Sequence, residues 1–170
     1  AAARLNKLSD VYYRNLSHAL LLKTGELVND PEADPNLVQN YVSSSINAAR
    51  RATDLSPNDV VNWSMLGDIY REVAPLVGNA DVFAIASYEK ATELSPTNPK
   101  YFVSLGQSYI VRSEQLSALT ESEDEEFANQ AKEAKDEALN KAVEALTKAV
   151  ELKQDYAPAY YYLAIAYDRQ

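Results

Sequence analysis

The chain has no cysteine, one histidine, one methionine and one tryptophan among 170 residues, and only four glycines. Without cysteine there is no disulfide, no thiolate metal site and no thiol nucleophile, and the absence fits any redox compartment. Positive charge is in deficit: 16 lysines and arginines face 25 aspartates and glutamates, for a formal net charge of −9. A nucleic-acid or anionic-membrane surface needs clustered Lys and Arg to neutralise phosphate. No basic stripe with interleaved aromatics occurs, so neither partner is expected. Long apolar runs are missing too. The longest candidate, Ala19 to Leu22, stops at Lys23, far short of the roughly 18 continuous apolar residues of a membrane span, and no direct membrane insertion is expected. With glycine scarce and nearly all seven prolines in expected turns or at helix starts, the default reading is long helices joined by short turns.

The residues that carry chemistry are equally sparse. His18 has no serine or acid at a diagnostic spacing and reads as a surface or groove histidine rather than a general base. There is no glycine-rich phosphate loop and no carboxylate pair that stands out from the acidic background. The densest acidic run, Glu121, Glu123, Asp124, Glu125 and Glu126, lacks the glycine turn and alternating ligands of a calcium loop. It is explained by the dipole of a helix that opens there. No enzymatic activity, cofactor or metal is expected.

What is present is a repeated pattern: a large apolar residue, a leucine, a small residue and a large apolar residue at spacings 0, 3, 4 and 7. It reads Trp63-Leu66-Gly67-Tyr70, Phe102-Leu105-Gly106-Tyr109 and Tyr160-Leu163-Ala164-Tyr167, with a weaker first copy at Tyr13-Leu16-Ser17-Leu20. These spacings share one helical face, and the small residue is where a second helix can approach closely. Each of the first three copies has a second half: Ser45, Ala49 and Ala52, then Ala84, Tyr88 and Ala91, then Ala142, Leu146 and Ala149. A stop follows each, and the distance from the stop to the next aromatic is six residues in every case: Pro57 to Trp63, Pro96 to Phe102, Gln154 to Tyr160.

In these residues the chain resembles the tetratricopeptide repeat (TPR) family, whose pattern is W-x2-L-G-x2-Y, then A-x3-F, then P over about 34 residues. The resemblance covers nearly the whole chain and is best from Trp63 through Pro96. It implies an all-α, TPR-type α-solenoid, a right-handed superhelix of antiparallel helix pairs in which each repeat packs on its neighbours. Residues 1–170 would form a single domain: 1–9 the tail of a preceding repeat, 10–57, 58–96 and 97–154 three repeats, and 155–170 the first helix of an incomplete fourth. Ala2 then falls at the last alanine of a preceding second helix, and the missing initiator methionine suggests a processed form or an excised fragment.

Copies lie 50, 39 and 58 residues apart, from Tyr13 to Trp63 to Phe102 to Tyr160. Against a period of about 34 the excess falls inside each repeat, between its two helices, where insertions project from one edge. In the first insertion Asp34 is expected to cap a helix with Pro35 at its first position. The second, Pro75 to Asp81 with Gly78, reads as a short turn. In the third, Ser113 to Leu119 lengthens one helix and Thr120-Glu121-Ser122-Glu123 resembles a capping box opening another, which makes a tall helical hairpin.

Two sets of site residues follow. An uncovered apolar end marks an interaction surface, and Leu5, Leu8, Tyr12, Tyr160, Leu163 and Tyr167 are the self-association candidates. Head-to-tail contact there would be heterologous and would build filaments unless it closed into a ring. The family's concave groove carries over to Arg14, His18, Met65, Asp68, Lys100, Gln107, Tyr161 and Tyr162. The chaperone-binding subgroup grips a terminal carboxylate with a lysine, asparagine and arginine clamp. Arg14, His18, Met65, Lys100 and Ser104 stand at those places, and only Arg14 and Lys100 bring fixed positive charge, which does not reproduce the clamp.

A second, local similarity joins Tyr12-Tyr13-Arg14-Asn15-Leu16-Ser17 and Asn62-Trp63-Ser64 to the C-terminal repeat domains of O-antigen-ligase-like bacterial membrane proteins. It implies an extracytoplasmic or extracellular location. The expected function is a non-catalytic scaffold that associates with other copies of itself, with a filament as the extended form. The alternative is an adaptor that binds a protein or peptide segment in the groove and belongs to a larger bacterial protein.

Overall fold

The computed structural model describes residues 9–170, and every described element is helical. The helices are α1 (Asp10–Val28), α2 (Pro35–Leu55), α3 (Val60–Glu72), α4 (Ala80–Leu94), α5 (Pro99–Ser117), α6 (Glu125–Leu152) and α7 (Ala157–Asp168). Contacts divide the chain into two compact units, one ending at residue 80 and the other running from 81 to 170, and the division falls after the first residue of α4.

Helix starts follow local chemistry. Asp34 accepts from the Asn36 backbone N–H with Pro35 in the first turn. Asp59 accepts from Val61 and Asn98 from Lys100 in the same way. Each cap satisfies one of the amide donors that a helix leaves unpaired at its start. The capping box expected at Thr120 does not form. Thr120 lies in the turn with its hydroxyl donating to the Ser117 carbonyl, and Asp124 caps α6 by accepting from both Glu126 and Phe127. A carboxylate that reaches two amides outcompetes a hydroxyl already spent on its own turn. The tall hairpin forms as expected, from the 19 residues of α5 and the 28 of α6.

In the first unit α1 packs along α2. The small positions of the weakest copy meet there: Ser17 and Ser45 are fully buried, and Ser45 Oγ donates to the Ser17 carbonyl at 2.9 Å. Serine replaces glycine and alanine at this crossing because each hydroxyl finds a carbonyl, Ser17 Oγ bonding that of Arg14 at 2.7 Å. The turn after α3 contains the one non-glycine residue of positive φ in the described chain, Asn79 at 59°. Asparagine tolerates that left-handed conformation better than most side chains, so the turn uses Asn79 where the sequence pointed to Gly78.

In the second unit α5 is sandwiched. One cluster joins Tyr88 of α4, Leu105 of α5 and Ala145 of α6. The other joins Val103 and Ile110 to Ala142, Leu146 and Ala149, and closes on α7 through Ala159 and Ala166. Fully buried Leu and Tyr side chains such as Leu146 and Tyr88 each contribute on the order of 1.5–3 kcal/mol by leaving water.

Candidate functional site

The register seen in the sequence has a physical basis. Trp63 Nε1 donates to the Pro57 carbonyl at 2.7 Å, and Tyr160 Oη donates to the Gln154 carbonyl at 2.9 Å. In both copies the aromatic at the start of the first helix reaches back six residues to the stop before it and ties down the turn.

Three expected groove residues come together in the first unit. His18 on α1 with Met65 and Asp68 on α3 line a cavity of about 570 Å³. Its apolar wall comes from Leu21, Leu22 and Val28 on α1, and from Val73 and Leu76 after α3. Glu72 sits one helical turn beyond Asp68 on the same face. Asp68 Oδ1 meets Arg71 Nη2 at 2.8 Å. Gly25 lines the cavity in the last turn of α1, and a β-carbon there would meet nothing within 4 Å. The sequence singled out neither Gly25 nor the Leu21, Leu22, Leu76 wall. A glycine inside a helix was the available signal, since it forfeits helix stability unless space or function requires it.

Arg14 does not stand in that cavity. Its Nη1 bonds Asn62 Oδ1 at 2.8 Å and Asp59 Oδ2 at 3.2 Å, with Asp10 Oδ2 at 3.9 Å. Asn62, 1% exposed, also donates to Asp10 Oδ2 at 3.0 Å and to the Ala52 carbonyl at 3.1 Å. The network ties α1, α2 and the start of α3 together, so Arg14 is consumed by structure rather than offered to a ligand. The Asn62 hydrogen bond holds the Asp10 carboxyl below its ordinary value, and the Arg14 charge acts in the same direction.

In the second unit Lys100 is exposed at the start of α5, its ammonium 5.9 Å from the Tyr101 ring centre, and Gln107 is half-buried. Tyr161 is exposed on α7. Tyr162 packs partly against the core and meets the Tyr161 ring edge-on at 5.0 Å. Only Tyr161 of that pair is fully available as a contact.

The self-association candidates divide similarly. Tyr12 is exposed beside Tyr13, the rings edge-on at 5.3 Å. Tyr160 and Tyr167 are 50% and 59% exposed. Leu163 faces inward onto the α5–α6 core instead, because the inner face of α7 runs Ala159, Leu163, Ala166. Leu5 and Leu8 lie outside the described residues. The equivalent face of α5 is closed, since Gly106 is buried, Phe102 and Tyr109 pack against the core, and Leu146 of α6 lies over Gly106. On α7 the matching Tyr160, Ala164 and Tyr167 are all exposed.

No group of three or more potential metal ligands occurs among the described residues, and none of the described helices is long and apolar enough to cross a membrane. No protein-family model matches the chain, and no curated protein matches it. Solved structures do. An O-GlcNAc transferase variant from Thermobaculum terrenum matches over 91% of this chain at 19% identity with a TM-score of 0.51, and the chain spans 22% of that protein's length. MamA protein matches over 92% of this chain and 82% of its own at 18% identity, with a TM-score of 0.40. The motif, the paired helices and the structural likeness to the transferase agree on one architecture: the chain has an all-α fold of the tetratricopeptide-repeat solenoid type.

Proposed function

We propose that this protein is a non-catalytic protein-interaction scaffold that associates head to tail with other copies of itself through the outer face of α7. The observation that carries this reading is the open motif face. On α5 the same positions are covered by a helix bearing Ala142, Leu146 and Ala149, whereas Tyr160, Ala164 and Tyr167 stand in solvent. An occupant with the same small-large-small spacing would close it, and exposed apolar surface of this kind marks contact sites. Such a contact is heterologous, so its repetition gives a ring or a filament. The test is the mass distribution of the chain over a concentration series, with negative-stain images of the heaviest fraction. Growth into particles of constant width is expected, and Tyr160→Glu/Tyr167→Glu should abolish it. A strict monomer at every concentration overturns the reading.

A second reading, an adaptor for a peptide segment, is supported by the cavity that His18, Met65 and Asp68 share. A location outside the cytoplasmic membrane belongs to both readings. It rests only on the resemblance read from the sequence at Tyr12–Ser17 and Asn62–Ser64, and cell fractionation tests it.

A further inference from the structure

We infer that the cavity of the first unit binds a protein segment in which large apolar side chains adjoin a lysine or arginine, a ligand of opposite charge to the terminal carboxylate that a cationic clamp would hold. The inference rests on the adaptor reading and adds the chemistry of the ligand. A volume of about 570 Å³ lies within the roughly 300–1,000 Å³ of binding clefts that pair an apolar lining with a few polar groups. The apolar part is the wall of Leu21, Leu22, Val28, Val73 and Leu76, with Met65 as its deformable member. Beside the neutral Thr24 and Asn29, the polar part carries two carboxylates. Asp68 and Glu72 are both on α3, and no lysine or arginine stands among the described residues that line the cavity. Arg71 offsets part of the Asp68 charge from outside the lining, and Glu72 carries a second carboxylate at the rim.

Arg14, which the groove pattern placed nearby, is held by Asp10, Asp59 and Asn62. An incoming carboxylate would therefore meet the carboxylates of Asp68 and Glu72, with Arg71 already paired to Asp68. A cationic side chain meets the reverse field, reinforced by the net charge of −9 on the chain. The apolar neighbour of that cation gains by leaving water, so the two halves of the ligand answer the two halves of the cavity. A second copy of this chain is the less suited occupant, because its own excess of carboxylates is repelled by the same rim.

The chain carries its own reporters. Met65 is the only methionine and His18 the only histidine, so a methyl-labelled Met65 and the His18 ring each give a single magnetic-resonance signal at the cavity. The full chain is titrated with three end-blocked peptides that pair two leucines with two lysines, two glutamates or two serines. The lysine peptide should shift both signals, bind at least tenfold more tightly than the glutamate peptide, and weaken at least fivefold in Asp68→Asn/Glu72→Gln. Gly25→Trp is the plug: a side chain there enters open space and replaces a glycine in the last turn of α1, so the variant should unfold no earlier than the parent yet show no peptide shift. Equal shifts from all three peptides overturn the cation requirement while the adaptor reading stands. Silence from every peptide overturns both. Undiminished lysine-peptide binding by a folded Gly25→Trp overturns the assignment to this cavity.

Discussion

Leu146 of α6 lies over Gly106 of α5 so closely that a β-carbon at position 106 would stand 2.5 Å from Leu146 Cγ and 2.9 Å from its Cδ2. Real β-carbons do not approach other atoms at that distance, so the glycine sets how near the two helices of the tall hairpin can come. The small residue of the motif and the central large residue of the second half are two sides of one contact.

Gly106→Ala is therefore expected to lower stability by about 1–2 kcal/mol, because overpacking of roughly 1–3 kcal/mol outweighs the helix-propensity gain of at most ~1 kcal/mol. Leu146→Ala removes the obstacle and leaves a cavity worth about 2–5 kcal/mol. Denaturant unfolding of both single variants and the double variant should show the double less destabilised than the sum, by at least ~0.5 kcal/mol. Strict additivity would contradict the contact.

The start of α6 gives a second test. Asp124→Ala should lower stability by about 0.5–2 kcal/mol, since two backbone amides lose their acceptor. Thr120→Ala should stay within about 0.5 kcal/mol, because its hydroxyl serves only an exposed turn. The opposite ranking in thermal melts would restore the capping box at Thr120.

A third concerns Asp81, whose side chain is fully buried and meets Arg112 Nη1 at 2.8 Å. With its amide turned to satisfy both of its atoms, Gln115 also donates to the two Asp81 oxygens, at 3.0 and 3.2 Å. Arg112→Ala leaves that carboxylate without its counter-charge and should cost about 3 kcal/mol, the low end for a broken buried pair because Arg112 is itself 31% exposed. Asp81→Asn in the same chain should recover a large part. Equal stability of Arg112→Ala and the parent in denaturant titrations would show the pair to be unimportant.

Acid stability supplies a fourth. The Asp10 carboxyl is held below its ordinary value in the folded chain, first by the Asn62 hydrogen bond and also by Arg14. Its contribution is complete above the ordinary carboxylate value and is lost as pH falls through the depressed folded value, because the unfolded chain binds the proton first. The stability difference between the parent and Asp10→Asn should thus be full at neutral pH and shrink through that acid window. A difference that stays constant down to the lowest pH tolerated would sink the assignment.

Much of the fold was legible because the motif is a list of packing requirements. The six-residue step from stop to aromatic became the Trp63 and Tyr160 hydrogen bonds, the small residues became close crossings at Ser17 and Gly106, and the Asp34-Pro35 pair became a helix start. Each depends on residues within one helix or in register with its partner, and spacing carries such information.

The sites were less legible. His18, Met65 and Asp68 do share a cavity, but its apolar wall and the open space at Gly25 belong to no motif. Arg14 looked free because the acids that claim it, Asp10 and Asp59, and Asn62 between them, are joined only when α1 meets the start of α3. The sequence by itself determined the helices, their order, the small-on-large contacts and the acidic balance, because these follow from short-range periodicity and composition. Only the tertiary structure decided which charges are spent, that Leu163 turns inward while Tyr160 and Tyr167 stay in water, and where α1 and α3 leave room for a ligand. Exposure and pairing depend on which side chains arrive from distant parts of the chain, and periodicity along one helix carries no record of them.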